Sequence, residues 1–248
     1  MKVSAPRVLK DALRIRELAG RLLKNVPLEP AFRTTLLQLR KDASAAVSFW
    51  QSVRRTGRTR FAVKYPNLQL GSGGRNLAGF VNLDILPPAD VVWDCRYGLP
   101  FPDRSFRFVF ADHFFEHLDY PASARNVLKE MRRVLKPGGT VLLGVPDGGK
   151  AVRAYLRKDR RFLRDLRGRY VKRSPAVEVH GDLDLVNYLF RDQLDNPDYN
   201  IHFWAYDADS LRGFLRSAGF RSASRAKFDA RYCNPKRRTY TLYIKATK

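Results

Sequence analysis

The sequence predicts a doubly wound α/β domain on a mostly parallel sheet, preceded by a helical extension. Three observations carry that prediction. Short apolar runs bounded by turn residues recur through the middle of the chain. Three successive runs end in aspartate. Amphipathic helical periodicity without strand signals fills the first 60 or so residues. At 248 residues and 44% hydrophobic content the chain can bury a full core, and one α/β domain of residues 61–248 is expected behind an extension of residues 1–60.

In the extension, Val8, Ala12, Ile15, Ala19 and Leu22 share one helical face, while Lys10, Arg14, Arg21 and Lys24 turn elsewhere. Pro27 and Pro30 punctuate, and a second helical pattern from Ala31 to about Val53 carries Phe32, Leu36, Leu37, Leu39, Ala46, Val47 and Trp50. Such helices can pack on the sheet or cover its ligand crevice, lie on an anionic membrane surface, or bind a partner.

The first strand and its turn read Pro66-Asn67-Leu68-Gln69-Leu70-Gly71-Ser72-Gly73-Gly74, and the second strand, Val81-Asn82-Leu83-Asp84, ends in a carboxylate. Gly71 and Gly73 lack the Cβ atoms that would hold a ligand away from the backbone, and Gly71 can take a positive φ. Asp84 is then placed to accept from two ribose hydroxyls. A dinucleotide turn would run into a long helix with its acid about 20 residues on. Here Asp84 follows Gly71 by 13 residues, and residues 75–80 supply little more than one helical turn, so an abbreviated first crossover is expected.

Val91-Val92-Trp93-Asp94 and Phe106-Arg107-Phe108-Val109-Phe110-Ala111-Asp112 give two further strands ending in acids. Ligands of an open parallel sheet bind outside the carboxyl ends of its strands, so Asp84, Asp94 and Asp112 are expected to converge. Converging carboxylates repel, and hydroxyl, amino and sulfonium partners would relieve them. Leu99-Pro100-Phe101, Glu116-His117-Leu118, Arg133-Val134-Leu135-Lys136-Pro137-Gly138-Gly139 and the fifth strand Thr140–Asp147 follow in order.

This ordered set resembles the class I S-adenosylmethionine-dependent methyltransferases, in particular a small bacterial group with the same glycine turn, LPF segment, EHL helix start and RVLKPGG turn. The resemblance covers residues 66–149 and, more weakly, 200–220. It implies a seven-stranded Rossmann-like sheet, S-adenosylmethionine as cofactor, and a methyl-donor site formed by Gly71, Ser72, Gly73, Asp84, Asp94 and Asp112, with Asp94 facing adenine. Arg75 stands where a third glycine is usual, and Arg107 where an acid is usual.

Charge is unevenly spread. The net values are +10 for residues 1–60, +1 for 61–149, +9 for 150–173, −5 for 174–220 and +8 for 221–248, within a total of +23. The cofactor module is nearly neutral, and the basic regions flank the expected acceptor side. The resemblance implies that the basic helical insertion at about 150–200 caps that side, where its charge would favour an acidic or phosphate-bearing acceptor. Peripheral contact with an anionic membrane is a second expectation. No nucleic-acid-binding module is recognisable, and no repeat or low-complexity tract occurs.

Methyl transfer from a sulfonium needs alignment, plus a base only where the acceptor must lose a proton. His117 and His202 are the candidate catalytic residues, with His113 beside the same strand end and His180 apart. Glu-His-Leu also occurs among enzymes of unlike acceptors, which leaves a structural role for His117 open. Asp207 with Ser210 reads as a helix cap before Leu211, Phe214 and Leu215, and Asp147 either orients an acceptor or makes a turn. No Cys/His pair shows metal-ligand spacing, so no metal is expected. Cys95 and Cys233 do not form a disulfide framework, and neither a signal peptide nor a membrane span is visible, which suggests the cytoplasm, with or without attachment to the inner membrane face.

The fourth strand lacks the Asn/Asp-Pro-Pro-Tyr/Phe segment of base N-methyltransferases, having Ala111-Asp112-His113-Phe114 instead, and Cys95 follows Asp94 where a cytosine-directed nucleophile would not sit. The resemblance to the small bacterial group, often associated with such pathways, implies O-methylation of a hydroxyl on a sugar, glycan or related small molecule. The alternatives are a nucleic-acid methyltransferase and a non-catalytic binding module at the membrane surface.

Overall fold

The computed structural model describes residues 5–56, 60–172, 177–191 and 202–248. The expected insertion at 150–200 therefore lies partly outside the described residues. Seven strands form one sheet: β1 (Asn67–Leu70), β2 (Phe80–Asp84), β3 (Val91–Val92), β4 (Phe106–Asp112), β5 (Leu135–Pro146), β6 (Arg221–Arg225) and β7 (Thr241–Thr247). Their spatial order is β3-β2-β1-β4-β5-β7-β6. The first five pair in parallel, and β7 runs antiparallel between β5 and β6.

Helices α1 (Ala5–Asn25), α2 (Pro30–Thr56), α3 (Ala122–Val134), α4 (Gly148–Leu156), α5 (Arg160–Val171), α6 (Asp182–Arg191) and α7 (Ala208–Ser217) surround the sheet. The main core joins one face of β1, β2, β4 and β5 to Leu128, Met131 and Val134 of α3 and to Leu211 and Leu215 of α7. In β4, Val109 and Ala111 point into this core, whereas Phe108 and Phe110 point to the opposite face and meet Tyr232 and Tyr243. That is the two-residue alternation of a strand covered on both sides.

The first crossover has no helix, as the short spacing implied. Polar side chains hold it instead. Asn82, buried on β2, accepts from Leu77 N (2.9 Å) and donates to Leu77 O (3.2 Å) and Asp90 Oδ2 (2.8 Å), while Gln69 Oε1 also accepts from Leu77 N (3.2 Å). Arg75, the departure from the usual glycine, donates through its guanidinium to the carbonyls of Tyr232 and Cys233 in the carboxyl-terminal region.

Residues 136–139, expected as a turn, belong to the start of β5, with an irregular register between Phe106 and Phe108 and Gly138 at φ 72°. The basic segment after β5 forms two helices, broken at Lys158, whose φ is 53°. With α6 these helices close a second core around Phe162, Leu166, Tyr170 and Leu189. In the extension, α2 carries Phe49 into the main core, its ring 4.5 Å from that of Trp93 in an edge-to-face contact.

Candidate functional site

A cavity of about 670 Å³ opens at the carboxyl ends of β1, β2 and β3, a size that suits a cofactor-sized ligand. Gly71, Gly73, Asp84, Asp94 and His117 line it, and α2 closes one side with Arg40, Lys41 and Asp42. Asp112 stands apart from this lining. It lies on the face of β4 that carries Phe108 and Phe110, and accepts from Asn234 N (3.2 Å) and Tyr243 Oη (3.3 Å).

Gly71 and Gly73 have φ values of 66° and 53°, the left-handed region that glycine enters without steric cost. Asp84 Oδ2 accepts from Gly73 N at 2.8 Å and Oδ1 from Leu86 N at 3.1 Å, so the acid is held at the bend with lone pairs left for a ligand. Ser72 is buried, and its hydroxyl has no hydrogen-bond partner. Asp94 is buried and engaged by its own neighbour, since Arg96 donates to it through N (3.0 Å), Nε (3.0 Å) and Nη2 (2.7 Å). That bidentate grip raises the Arg96 guanidinium above its ordinary range. Arg96 also reaches Asp42 on α2 at 3.5 Å, which ties the extension to the cavity.

The cavity is also lined from beyond β4, which runs into His113, Phe114 and a short 3₁₀ turn, Phe115–His117. His113 has a left-handed backbone, φ 56°, uncommon for a residue with a Cβ. Its Nε2 bonds Thr241 Oγ1 at 2.8 Å, and its Nδ1 lies 3.1 Å from Glu116 Oε1. Burial, then the Arg237 charge, holds His113 well below the usual imidazole range. His202 Nδ1 bonds the Leu189 carbonyl at 3.0 Å, its Nε2 lies 3.9 Å from Glu116 Oε1, and burial lowers its pKa, opposed by the Glu116 carboxylate. The rings of His117 and His202 are 4.9 Å apart, edge to face.

The structure thus brings His117 and His202 together, and adds Glu116 beside them. Sequence reasoning missed Glu116 because it reads as part of a helix-start motif. Phe203 N donates to the Glu116 carbonyl at 2.8 Å, which holds the two distant segments side by side. His180 lies elsewhere, exposed beside Glu178 at 3.2 Å. Asp147 caps α4 by accepting from Lys150 N at 2.8 Å, so the turn alternative accounts for it.

The seven-stranded, mostly parallel sheet and the cavity outside its carboxyl edge define a Rossmann-like methyltransferase fold. Residues 84–143 match the family model described as a methyltransferase domain. No curated protein matches the chain.

Among solved structures, a S-adenosylmethionine-dependent methyltransferase of Methanosarcina mazei is 17% identical over 73% of this chain and 91% of its own, with a TM-score of 0.47. One from Archaeoglobus fulgidus is 15% identical over 87% and 100%, with a TM-score of 0.43. The 1,6-didemethyltoxoflavin-N1-methyltransferase of Burkholderia thailandensis, solved with S-adenosylhomocysteine, is 14% identical over 100% and 92%, with a TM-score of 0.42. Likeness at this level says nothing about the acceptor.

Proposed function

We propose that the chain is an active methyltransferase that moves the methyl group of S-adenosylmethionine to a hydroxyl of a sugar, glycan intermediate or related small molecule. The observation that supports it is a single cavity lined both by the Gly71 bend with Asp84 and by His117 with Phe203. Asp84 and the Gly71 bend suit the ribose and the adjoining chain of the donor, and His117, with buried Glu116 and His202 within 4.8 Å of it, suits the acceptor.

The transfer breaks the sulfur–methyl bond, forms an oxygen–methyl bond, leaves S-adenosylhomocysteine and releases the hydroxyl proton. Alignment of the two substrates supplies much of the rate. In this reading His117 and His202 receive that proton. Exposed aromatics next to His202 in the chain favour a flat or sugar-like acceptor: Phe203 lines the cavity, and Trp204 stacks on Tyr120 at 4.2 Å. Arg40 and Lys41 on the α2 side favour an acceptor that carries phosphate or carboxylate. We place the reaction at the cytoplasmic side, with the basic extension as a membrane contact. No helix among the described residues is long and apolar enough to cross a membrane.

Incubation with labelled methyl donor and fractionated cell extract tests the proposal. Label in the glycan or lipid-linked sugar fraction is the expected result. Label confined to nucleic acid or protein would overturn the acceptor class, and donor binding with no label anywhere would favour the non-catalytic module.

A further inference from the structure

We infer that Glu116, His117 and His202 form a site for one divalent transition-metal ion of the zinc type, beside the cavity that His117 lines. One ligand atom from each residue falls in a group whose members all lie within 4.8 Å of one another. Two ligands about 2.1 Å from a tetrahedral metal stand about 3.4 Å apart, so closure needs only a side-chain adjustment.

The donor set is that of a metal centre, two imidazoles and a carboxylate, which leaves positions open for an acceptor oxygen or water. Glu116 supplies the independent observation. Its side chain is 1% exposed and neither carboxylate oxygen accepts a hydrogen bond, an expensive state for a buried anion.

The neighbouring hydrogen bonds turn lone pairs toward that carboxylate. The Leu189 carbonyl can only accept, so His202 Nδ1 carries the hydrogen, and the lone pair of the neutral ring is on Nε2, 3.9 Å from Glu116 Oε1. A backbone carbonyl that fixes the far nitrogen of a histidine is the usual support of a metal-bound imidazole. On the other side Thr241 donates its hydroxyl proton to Arg237 O (2.7 Å) and so receives His113 Nε2–H, which leaves His113 Nδ1 facing Oε1 without a hydrogen in the neutral ring. Lone pairs converge on an unsatisfied carboxylate, and a cation between them resolves the arrangement.

Sequence spacing could not show this, because His202 lies 86 positions beyond Glu116. The ion's part in methyl transfer rests on the function proposed above: with the ion bound, His117 and His202 are ligands in place of proton acceptors, and the ion would lower the pKa of the acceptor hydroxyl, whose proton passes to solvent. Its binding does not rest on that function.

The test is therefore binding by the full chain. Apo protein is titrated with Co²⁺ and read by absorbance, and its Zn²⁺ content after dialysis is measured by elemental analysis. About one ion per chain is expected, with ligand-field bands of a nitrogen/oxygen site. His202→Ala and Glu116→Gln should each weaken binding by roughly ten-fold or more, with His180→Ala unchanged. No ion in the wild-type protein, an aquo-ion spectrum, or equal affinity in all variants would overturn the inference, and the wild-type spectrum decides it even if a variant fails to fold. Calorimetry with S-adenosylmethionine on the same samples separates the two readings, since metal uptake without donor binding would refute the methyltransferase function alone.

Discussion

Phe114 packs directly over Gly71. A Cβ on Gly71 would come within 2.6 Å of Phe114 Cδ2. The bend at the end of β1 is thus fixed from two sides, by its left-handed backbone and by the ring above it. Gly71→Ala should lower stability by about 2 kcal/mol or more, adding an unfavourable φ to overpacking. Denaturant unfolding checks this, and Phe114→Ala in the same chain should recover only the packing part. A midpoint equal to wild type would refute the contact.

Helix α2 should matter to both stability and the donor site. Phe49→Ala removes a buried ring from the contact with Trp93 and should cost about 3–5 kcal/mol. Because Arg40, Lys41 and Asp42 line the cavity from the same helix, a chain that still folds should also bind donor more weakly. Unchanged donor affinity in a folded, destabilised variant would separate the helix from the site.

Asp207 and Ser210 form a reciprocal cap at the start of α7, Ser210 N to Asp207 Oδ1 at 2.8 Å and Asp207 N to Ser210 Oγ at 3.0 Å. Asp207→Ala should cost about 1 kcal/mol, and Asp207→Asn much less. Thermal unfolding of the two variants compares them. Equal losses would show that charge, and not the cap, matters at this position.

His113 is held neutral by burial, so its folded pKa lies below the ordinary 6.5. The unfolded chain then binds more protons than the folded one as pH falls below about 6.5, and stability declines with acidification in that window. In the presence of a chelator, His113→Gln should show a shallower decline between about pH 6.5 and 5. Parallel curves for the two proteins would contradict the assignment.

Much of this fold was legible because it follows local rules. The strands announce themselves as short apolar runs, the bend needs Gly71 and Gly73, and Asp207 with Ser210 spells its own cap. The abbreviated crossover followed from counting residues, although Asn82 and Gln69, which hold it, gave no signal that spacing arguments use. Asp112 was readable in principle: it shares the two-residue alternation of Phe108 and Phe110, which carries it toward Tyr243. Asp94 was not, because nothing in the order of residues says that Arg96 will turn back and occupy it. Glu116 and His202 meet only after the chain has passed through α3, β5, α4, α5 and α6. Such proximity belongs to the tertiary fold.

The central claim is that the Gly71 bend and Asp84 hold the methyl donor. Isothermal calorimetry of the full chain with S-adenosylmethionine, beside Asp84→Ala, tests it most directly. The wild-type protein should bind one donor per chain, and loss of the charged acceptor should weaken binding by about ten-fold or more. A folded wild-type protein that gives no binding heat by calorimetry and no shift in thermal unfolding with donor, or an Asp84→Ala variant of undiminished affinity, would contradict it.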